Sequence, residues 1–190
     1  NEGMALLGEG VSAARIENIA MQFGMPVGPL AVLDEVSLKL ADDVLHQELD
    51  ALAHAHQHGH GHDHDHDHDQ DHDHDQHKHH HPHKVKSKRM AESAVYVLEK
   101  MAHGFKRLGR AAGAGFYEYP EGEPKRLWEG LSVFMRGAKP VSDEDIRDRL
   151  SMIQSIETLR CLQEQVLEHD HDANIGSIMG WGFPAYTGGT

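Results

Sequence analysis

The stretch FGMPVGP, residues 23–29, separates two segments whose apolar residues recur at helical spacing. Before it, a helix can begin after Ser12 and end at Gly24, because serine favours N-caps and glycine favours the left-handed C-terminal position. Pro26 prevents that helix from continuing. After the stretch, Asp34 can cap a third helix. The stretch therefore predicts a turn that joins helices.

A similar order recurs later in the chain, where residues 182–189 are GFPAYTGG. A capping-box-like start at Ser142 precedes an apolar stripe that predicts a long helix. Both parts follow the order helix, loop, helix and Gly/Pro turn, so we predict an all-α fold with a duplicated helical unit. Since the sequence starts without Met and stops in Gly/Thr, we expect a piece of a longer protein. The stripe consists of Ile146, Leu150, Ile153, Ile156, Leu159, Leu162 and Val166.

Residues 54–88 differ from the rest of the chain in composition. They hold 15 of the 19 histidines and seven aspartates, but only two apolar residues, Ala55 and Val85. Without them, the apolar fraction is about 45%, as in an ordinary globular domain. We therefore predict a disordered His/Asp-rich insert. The predicted parts are 1–53, the first helical unit; 54–88, the insert; 89–120, the end of the first unit; 121–141, a linker; and 142–190, a truncated second unit.

The insert alternates imidazole and carboxylate groups, which suit Zn²⁺, Ni²⁺ and Cu²⁺. We predict that it captures such ions adventitiously. Two interpretations stay open, of which we prefer the first: a neutral expansion of a surface loop, or an evolved metal function. The candidate ligands are His54, His56, His58, His60, His62, His64, His66, His68, His72 and His74.

Several classes of function are disfavoured by composition. A net charge of −13 argues against a nucleic-acid surface. No apolar run approaches the ~18 residues needed for a membrane span. A single cysteine, Cys161, cannot form an internal disulfide and is interpreted as inert, so we predict a cytoplasmic protein. We interpret both tryptophans as packing residues rather than ligand platforms. The histidines outside the insert show no recognisable pairing: His46, His103, His169 and His171.

Four stretches resemble a known family. Residues 4–36, with the first Gly/Pro turn, resemble the start of the C-terminal helical domain of 3-hydroxyacyl-CoA dehydrogenases. Residues 108–119, which end in GFYEY, resemble the segment that closes that domain. Residues 149–161 and 176–184 resemble the second copy found in multifunctional fatty-acid oxidation proteins. The resemblance implies a fold like the C-terminal domain of 6-phosphogluconate dehydrogenase.

The resemblance also implies an activity, the NAD-dependent oxidation of an L-3-hydroxyacyl-CoA in fatty-acid β-oxidation. NAD and the catalytic residues would belong to an upstream Rossmann domain, and the family's catalytic asparagine falls before Asn1. No catalytic residue is therefore assigned in this chain. Residues 109–115 also lack the G-x-G-x-x-G spacing of a dinucleotide site. We expect the chain alone to be inactive as a dehydrogenase.

By the same resemblance, the first Gly/Pro turn faces the substrate cleft. The candidate substrate-binding residues are Met25, Pro26, Gly28, Pro29 and Leu33. The alternative is that this turn only shapes a helix connection. The implied partners are acyl-CoA, the upstream Rossmann domain and a second copy in a homodimer, with neither nucleic acid nor a membrane. The alternative function is a Zn²⁺- or Ni²⁺-binding protein that acts through the His-rich run.

Overall fold

The structure of the chain, a computed structural model, describes residues 1–58, 90–135, 137 and 140–190. These residues are mainly helical, which confirms the all-α prediction. A two-stranded antiparallel ribbon, β1 (Tyr117–Glu118) with β2 (Arg126–Leu127), is the only sheet in the described part. The α-helices are α1 (Glu2–Gly8), α2 (Ala13–Phe23), α3 (Pro29–Val36), α4 (Leu38–His58), α5 (Glu92–Glu99), α6 (Asp143–Gln163) and α7 (Asp170–Trp181).

Shorter helical turns complete the architecture. A π-helical turn, Lys100–Gly104, continues α5 without a break. Three 3₁₀ turns are Arg110–Ala112, Glu129–Met135 and Ala185–Thr187.

The helix ends at the two Gly/Pro turns agree with the sequence. Gly24 ends α2 with a φ of 104°, and Gly182 ends α7 with a φ of 74°. Both values lie in the left-handed region that glycine adopts most easily. At the start of α6, the Ser142 side chain accepts a hydrogen bond from the Asp145 amide at 3.0 Å. The predicted end of α2 and start of α6 are therefore confirmed.

The predicted start of α3 is wrong. The helix begins at Pro29 rather than after Asp34, with Gly28 at the N-cap position. Proline suits the first helical position because its φ is already helical. An N–H at that position would have no acceptor within the helix, so its absence costs nothing. Asp34 instead lies inside α3, where it is almost completely buried.

The core forms where α1 packs against α5. Leu6 and Leu7 of α1 and Val97 and Leu98 of α5 are fully buried in one hydrophobic cluster. Gly8 permits this close approach, because a Cβ on it would lie 2.3 Å from the carbonyl oxygen of Ser93. The division of the chain into five parts stays a prediction.

Replacing Gly8 by alanine is expected to lower the free energy of unfolding by about 1–3 kcal/mol, since the added methyl group must push α1 away from α5. Chemical denaturation of the two proteins measures the difference. Gly176→Ala is the matched control, because no atom lies within 4 Å of a Cβ at that helical position. Equal losses in the two variants would contradict the close contact.

Only the first part of the predicted apolar stripe of α6 is buried. Ile146 and Leu150 belong to the core, whereas Ile156, Leu159 and Val166 are exposed. The helices α1 and α2 contact α6. The polar contacts between them lie at the start of α6, including the two ion pairs that Arg149 makes with acidic residues of the first segment. The predicted long helix is therefore confirmed, although it ends at Gln163, before Val166, and only its first turns are buried in the core.

Residues 59–89, most of the predicted insert, lie outside the described residues, and so does the prediction of disorder there. Within the described part, no helix is both long enough and apolar enough to cross a membrane.

Candidate functional site

A cleft of about 780 Å³ lies between α1, α3 and α6, with the end of α7 at its border. This volume is within the usual range for small-molecule sites. Apolar side chains of α3, among them Val32 and Leu33, line one side of the cleft, and residues of α6 such as Leu150 and Ile153 line the other. The cleft can therefore shelter an apolar chain from water.

Four of the five candidate substrate-binding residues line this cleft: Met25, Pro26, Pro29 and Leu33. Gly28 is not among its lining residues. A Cβ on Gly28 would lie 2.2 Å from Oε2 of Glu17, so glycine is required there to make room for a buried carboxylate. The structure thus gives Gly28 a packing role, and the role of the other four in substrate binding stays a prediction.

The two Gly/Pro turns contact each other at the border of the cleft. A Cβ on Gly182 would lie 2.7 Å from Cγ of Pro26, and one on Gly24 would lie 3.4 Å from Cβ of Pro184. Each glycine therefore packs against the proline of the other turn. The two turns that the sequence analysis interpreted as copies of one another are therefore in direct contact.

Aromatic residues reinforce the contact between the turns. The Phe23 and Phe183 rings pack edge to face with centroids 5.9 Å apart. The Tyr186 hydroxyl donates a hydrogen bond to the carbonyl oxygen of Phe23 at 2.9 Å. Aromatic ring pairs of this geometry typically stabilise a protein by about 0.5–1.5 kcal/mol in addition to the effect of the apolar area that they bury. The border of the cleft is consequently held by packing from both segments.

Glu17 is a buried carboxylate beside the first turn. It accepts hydrogen bonds from the Leu30 amide at 2.8 Å and from the Tyr117 hydroxyl at 2.6 Å. Burial raises the pKa of Glu17, while these hydrogen bonds act in the opposite direction. The carboxylate ties α2 to the start of α3 and to β1.

Asp34 is a second buried carboxylate, and it holds the GFYEY segment. Its Oδ1 accepts from the Phe116 amide at 2.7 Å, and its Oδ2 accepts from the Tyr117 amide at 2.8 Å and the Tyr119 hydroxyl at 2.9 Å. Burial raises the pKa of Asp34, against these hydrogen bonds and nearby Arg107. In the described residues, every buried side-chain polar atom has a hydrogen-bond partner. We therefore interpret the Asp34 carboxylate as a group that holds the fold together.

Trp181 and Cys161 both line the cleft. Trp181 is 58% exposed, and its Nε1 donates to Oε1 of Gln154 at 2.9 Å. Trp181 is therefore not a core residue, although its contact with α6 agrees with packing between the two helical segments. Its interpretation as a packing residue rather than a ligand platform stays a prediction. Trp128 fits that interpretation, since the Arg107 guanidinium stacks 4.3 Å from its ring and Phe105 packs against its edge. The inert character of Cys161 stays a prediction.

The predicted metal ligands fall mostly outside the described residues. His54 is exposed on α4, and His56 and His58 belong to the same helix. His60, His62, His64, His66, His68, His72 and His74 are not described. Metal binding by the insert, functional or adventitious, therefore stays a prediction.

His46 and His103, which show no recognisable pairing in the sequence, share Asp42 as a partner in the structure. His103 Nε2 lies 3.1 Å from the carboxylate of Asp42, and His46 Nδ1 lies 3.5 Å from the same group. The cluster could not be recognised in the sequence, because His103 follows Asp42 by 61 positions. The i,i+4 spacing of Asp42 and His46 on a helix was the available signal.

Comparison with known proteins agrees with this architecture. Residues 1–119 match the family described as "3-hydroxyacyl-CoA dehydrogenase, C-terminal domain". The "Fatty acid oxidation complex subunit alpha" proteins of Pseudomonas paraeruginosa and Pseudomonas syringae pv. syringae are 29% identical over 192 residues, which cover 97% of this chain. The protein of the same name from Pseudomonas putida is 28% identical over the same span.

The chain spans 22% of the length of these curated relatives. The family match, by contrast, covers more than half of the chain itself. Together with the helical fold, the match confirms the resemblance seen in the sequence. The chain therefore belongs to the 3-hydroxyacyl-CoA dehydrogenase C-terminal domain family.

Proposed function

We propose that this chain is the C-terminal helical part of an NAD-dependent 3-hydroxyacyl-CoA dehydrogenase of fatty-acid β-oxidation, and that it shapes the acyl-CoA cleft. The observation that carries the proposal is that Met25, Pro26, Pro29 and Leu33 line one cleft of about 780 Å³. The names of the relatives, which refer to fatty acid oxidation, support the same pathway.

The proposal divides the work between two parts of a longer protein. An upstream Rossmann domain binds NAD and supplies the catalytic residues. The described residues supply apolar surface for the acyl chain, whose transfer from water is favourable by about 25 cal/mol per Å². Contacts with the upstream domain, a homodimer and a cytoplasmic location belong to the same proposal.

The test uses the chain extended by its upstream sequence, and it follows NADH formation from 3-hydroxyacyl-CoA substrates of several chain lengths. We expect turnover by the extended protein and none by the 190-residue chain. In the extended protein, Val32→Trp should lower kcat/KM for long acyl chains by about tenfold or more and change it little for the shortest, since the indole fills the cleft that Val32 lines.

Val36→Trp is the matched control, because Val36 is exposed on the same helix but is not among the residues that line the cleft. It should leave the chain-length profile unchanged. Equal effects of the two variants at every chain length would show that the acyl chain binds elsewhere. NADH production by the 190-residue chain alone would overturn the division of work.

A further inference from the structure

Asp42, His46 and His103 form a compact cluster that shares no residue with the lining of the cleft. The three side chains each offer a ligand atom, and these atoms all lie within 4.8 Å of one another. Asp42 is largely buried, with 11% of its side chain exposed, whereas the two imidazoles are 57% and 60% exposed. The cluster therefore has a fixed carboxylate below and two histidines that solvent can reach.

The distances suit a transition-metal ion. Ligands about 2.0–2.1 Å from a tetrahedral Zn²⁺ lie about 3.3 Å from each other. His103 Nε2 is 3.1 Å from both carboxylate oxygens of Asp42, and His46 Nδ1 is 3.5 Å from one of them. Both imidazoles are more than half exposed, so their rings have room to turn toward a shared ion.

The backbone holds the ligands from two different elements. Asp42 and His46 are one turn apart on α4, and the His46 Nδ1–H donates to the carbonyl oxygen of Asp42 at 2.8 Å. Coordination of an ion through Nδ1 would replace this proton and end that hydrogen bond. His103 lies in the π-helical turn that continues α5. Single π turns inside helices occur often at functional sites. An ion here would cross-link α4, whose last residues begin the His-rich run, to the segment that follows the run.

We propose that Asp42, His46 and His103 form a binding site for a divalent transition-metal ion, Zn²⁺ or Ni²⁺, with water in the remaining coordination position. Two imidazoles and one carboxylate are a ligand set typical of such ions, and three protein ligands plus water are typical of open zinc sites. The site is separate from the proposed dehydrogenase cleft and from the His-rich run, and its failure would leave the proposed function unaffected.

The experiment must separate this site from metal captured by the run. In a silenced full-length chain, all 15 histidines of the run, from His54 to His83, are replaced by glutamine. Calorimetric titration with ZnCl₂ and NiCl₂, together with the visible absorption of added Co²⁺, measures binding. We expect one tightly bound ion per silenced chain.

Removing one ligand tests the assignment. His103→Gln in the silenced chain should weaken Zn²⁺ binding by at least about 100-fold, because it removes a direct ligand. His171→Gln is the matched control, since His171 is exposed, lies 3.5 Å from a carboxylate oxygen of Asp172 and stacks on His169. It should leave the affinity unchanged.

A second measurement keeps the test independent of stoichiometry. Because the ion joins α4 to the π-helical turn, Zn²⁺ at 100 times its Kd should raise the Tm of the silenced chain by about 5–10 °C. The same addition should not raise the Tm of the His103→Gln variant. A silenced chain that binds no Zn²⁺, or a His103→Gln variant that binds it equally well, would overturn the proposal.

Discussion

Asp34→Ala is expected to lower the free energy of unfolding by about 3–5 kcal/mol. The substitution removes the acceptor of three hydrogen bonds from residues 116–119. Two of the donors are the backbone amides of Phe116 and Tyr117, and an unsatisfied buried donor costs about 1–3 kcal/mol. The Phe116 side chain, which is fully buried, would lose its fixed position as well. Urea denaturation followed by circular dichroism measures the change.

Glu35→Ala is the control for Asp34→Ala, because Glu35 is the next residue on the same helix and forms only an exposed ion pair with Arg110. Exposed pairs contribute about 0–1 kcal/mol, so this variant should unfold close to the wild type. Asp34→Asn should fall between the two, since an amide can accept from Phe116 but presents a donor to Tyr117. An Asp34→Ala protein as stable as Glu35→Ala would show that the carboxylate does not hold the closing segment.

Ile146→Asp is expected to cost about 3–5 kcal/mol and to detach the start of α6 from the first segment. Ile146 is fully buried in the same hydrophobic cluster as α1 and α5. A carboxylate at this position would lack a partner in an apolar site, and the isoleucine packing would also be lost. The loss is measured by chemical denaturation.

Ile156→Asp provides the matched control on the same helix. Ile156 is 45% exposed, so its replacement should cost less than about 1 kcal/mol. Tryptophan fluorescence in a Trp128→Phe background gives a local readout, because the remaining Trp181 donates a hydrogen bond to Gln154 of α6. Equal stabilities of the two aspartate variants would mean that α6 does not pack against α1 as described.

The sequence predicted local features well where one residue type dominates the backbone energy. Gly24 ends α2 because a left-handed residue is needed there, and Ser142 caps α6 because its hydroxyl reaches an unpaired amide. The prediction of where α3 starts was wrong because two preferences competed: aspartate for the N-cap and proline for the first helical position. Asp34 has the chemistry of a cap, but Pro29 was already available for the first helical position, and the fold used the aspartate elsewhere.

Apolar periodicity established that α6 is a helix but not how much of it is covered. The stripe from Ile146 to Val166 is continuous in sequence, yet only its beginning packs against the first segment. Periodicity records which face of a helix is apolar, whereas burial depends on the length of the neighbouring elements. That length is a property of the assembled chain.

The sequence by itself determined the helical class, the two Gly/Pro turns and the family, because these depend on local backbone preferences and on motifs of a few adjacent residues. Tertiary structure alone decided which distant groups meet. The packing of α4 beside the turn after α5 places His103 against Asp42, and the return of residues 115–119 to α3 gives Asp34 its three donors. Both contacts join residues more than 60 positions apart, so no local sequence pattern predicts them. They form only when burial of the common core fixes the positions of the helices.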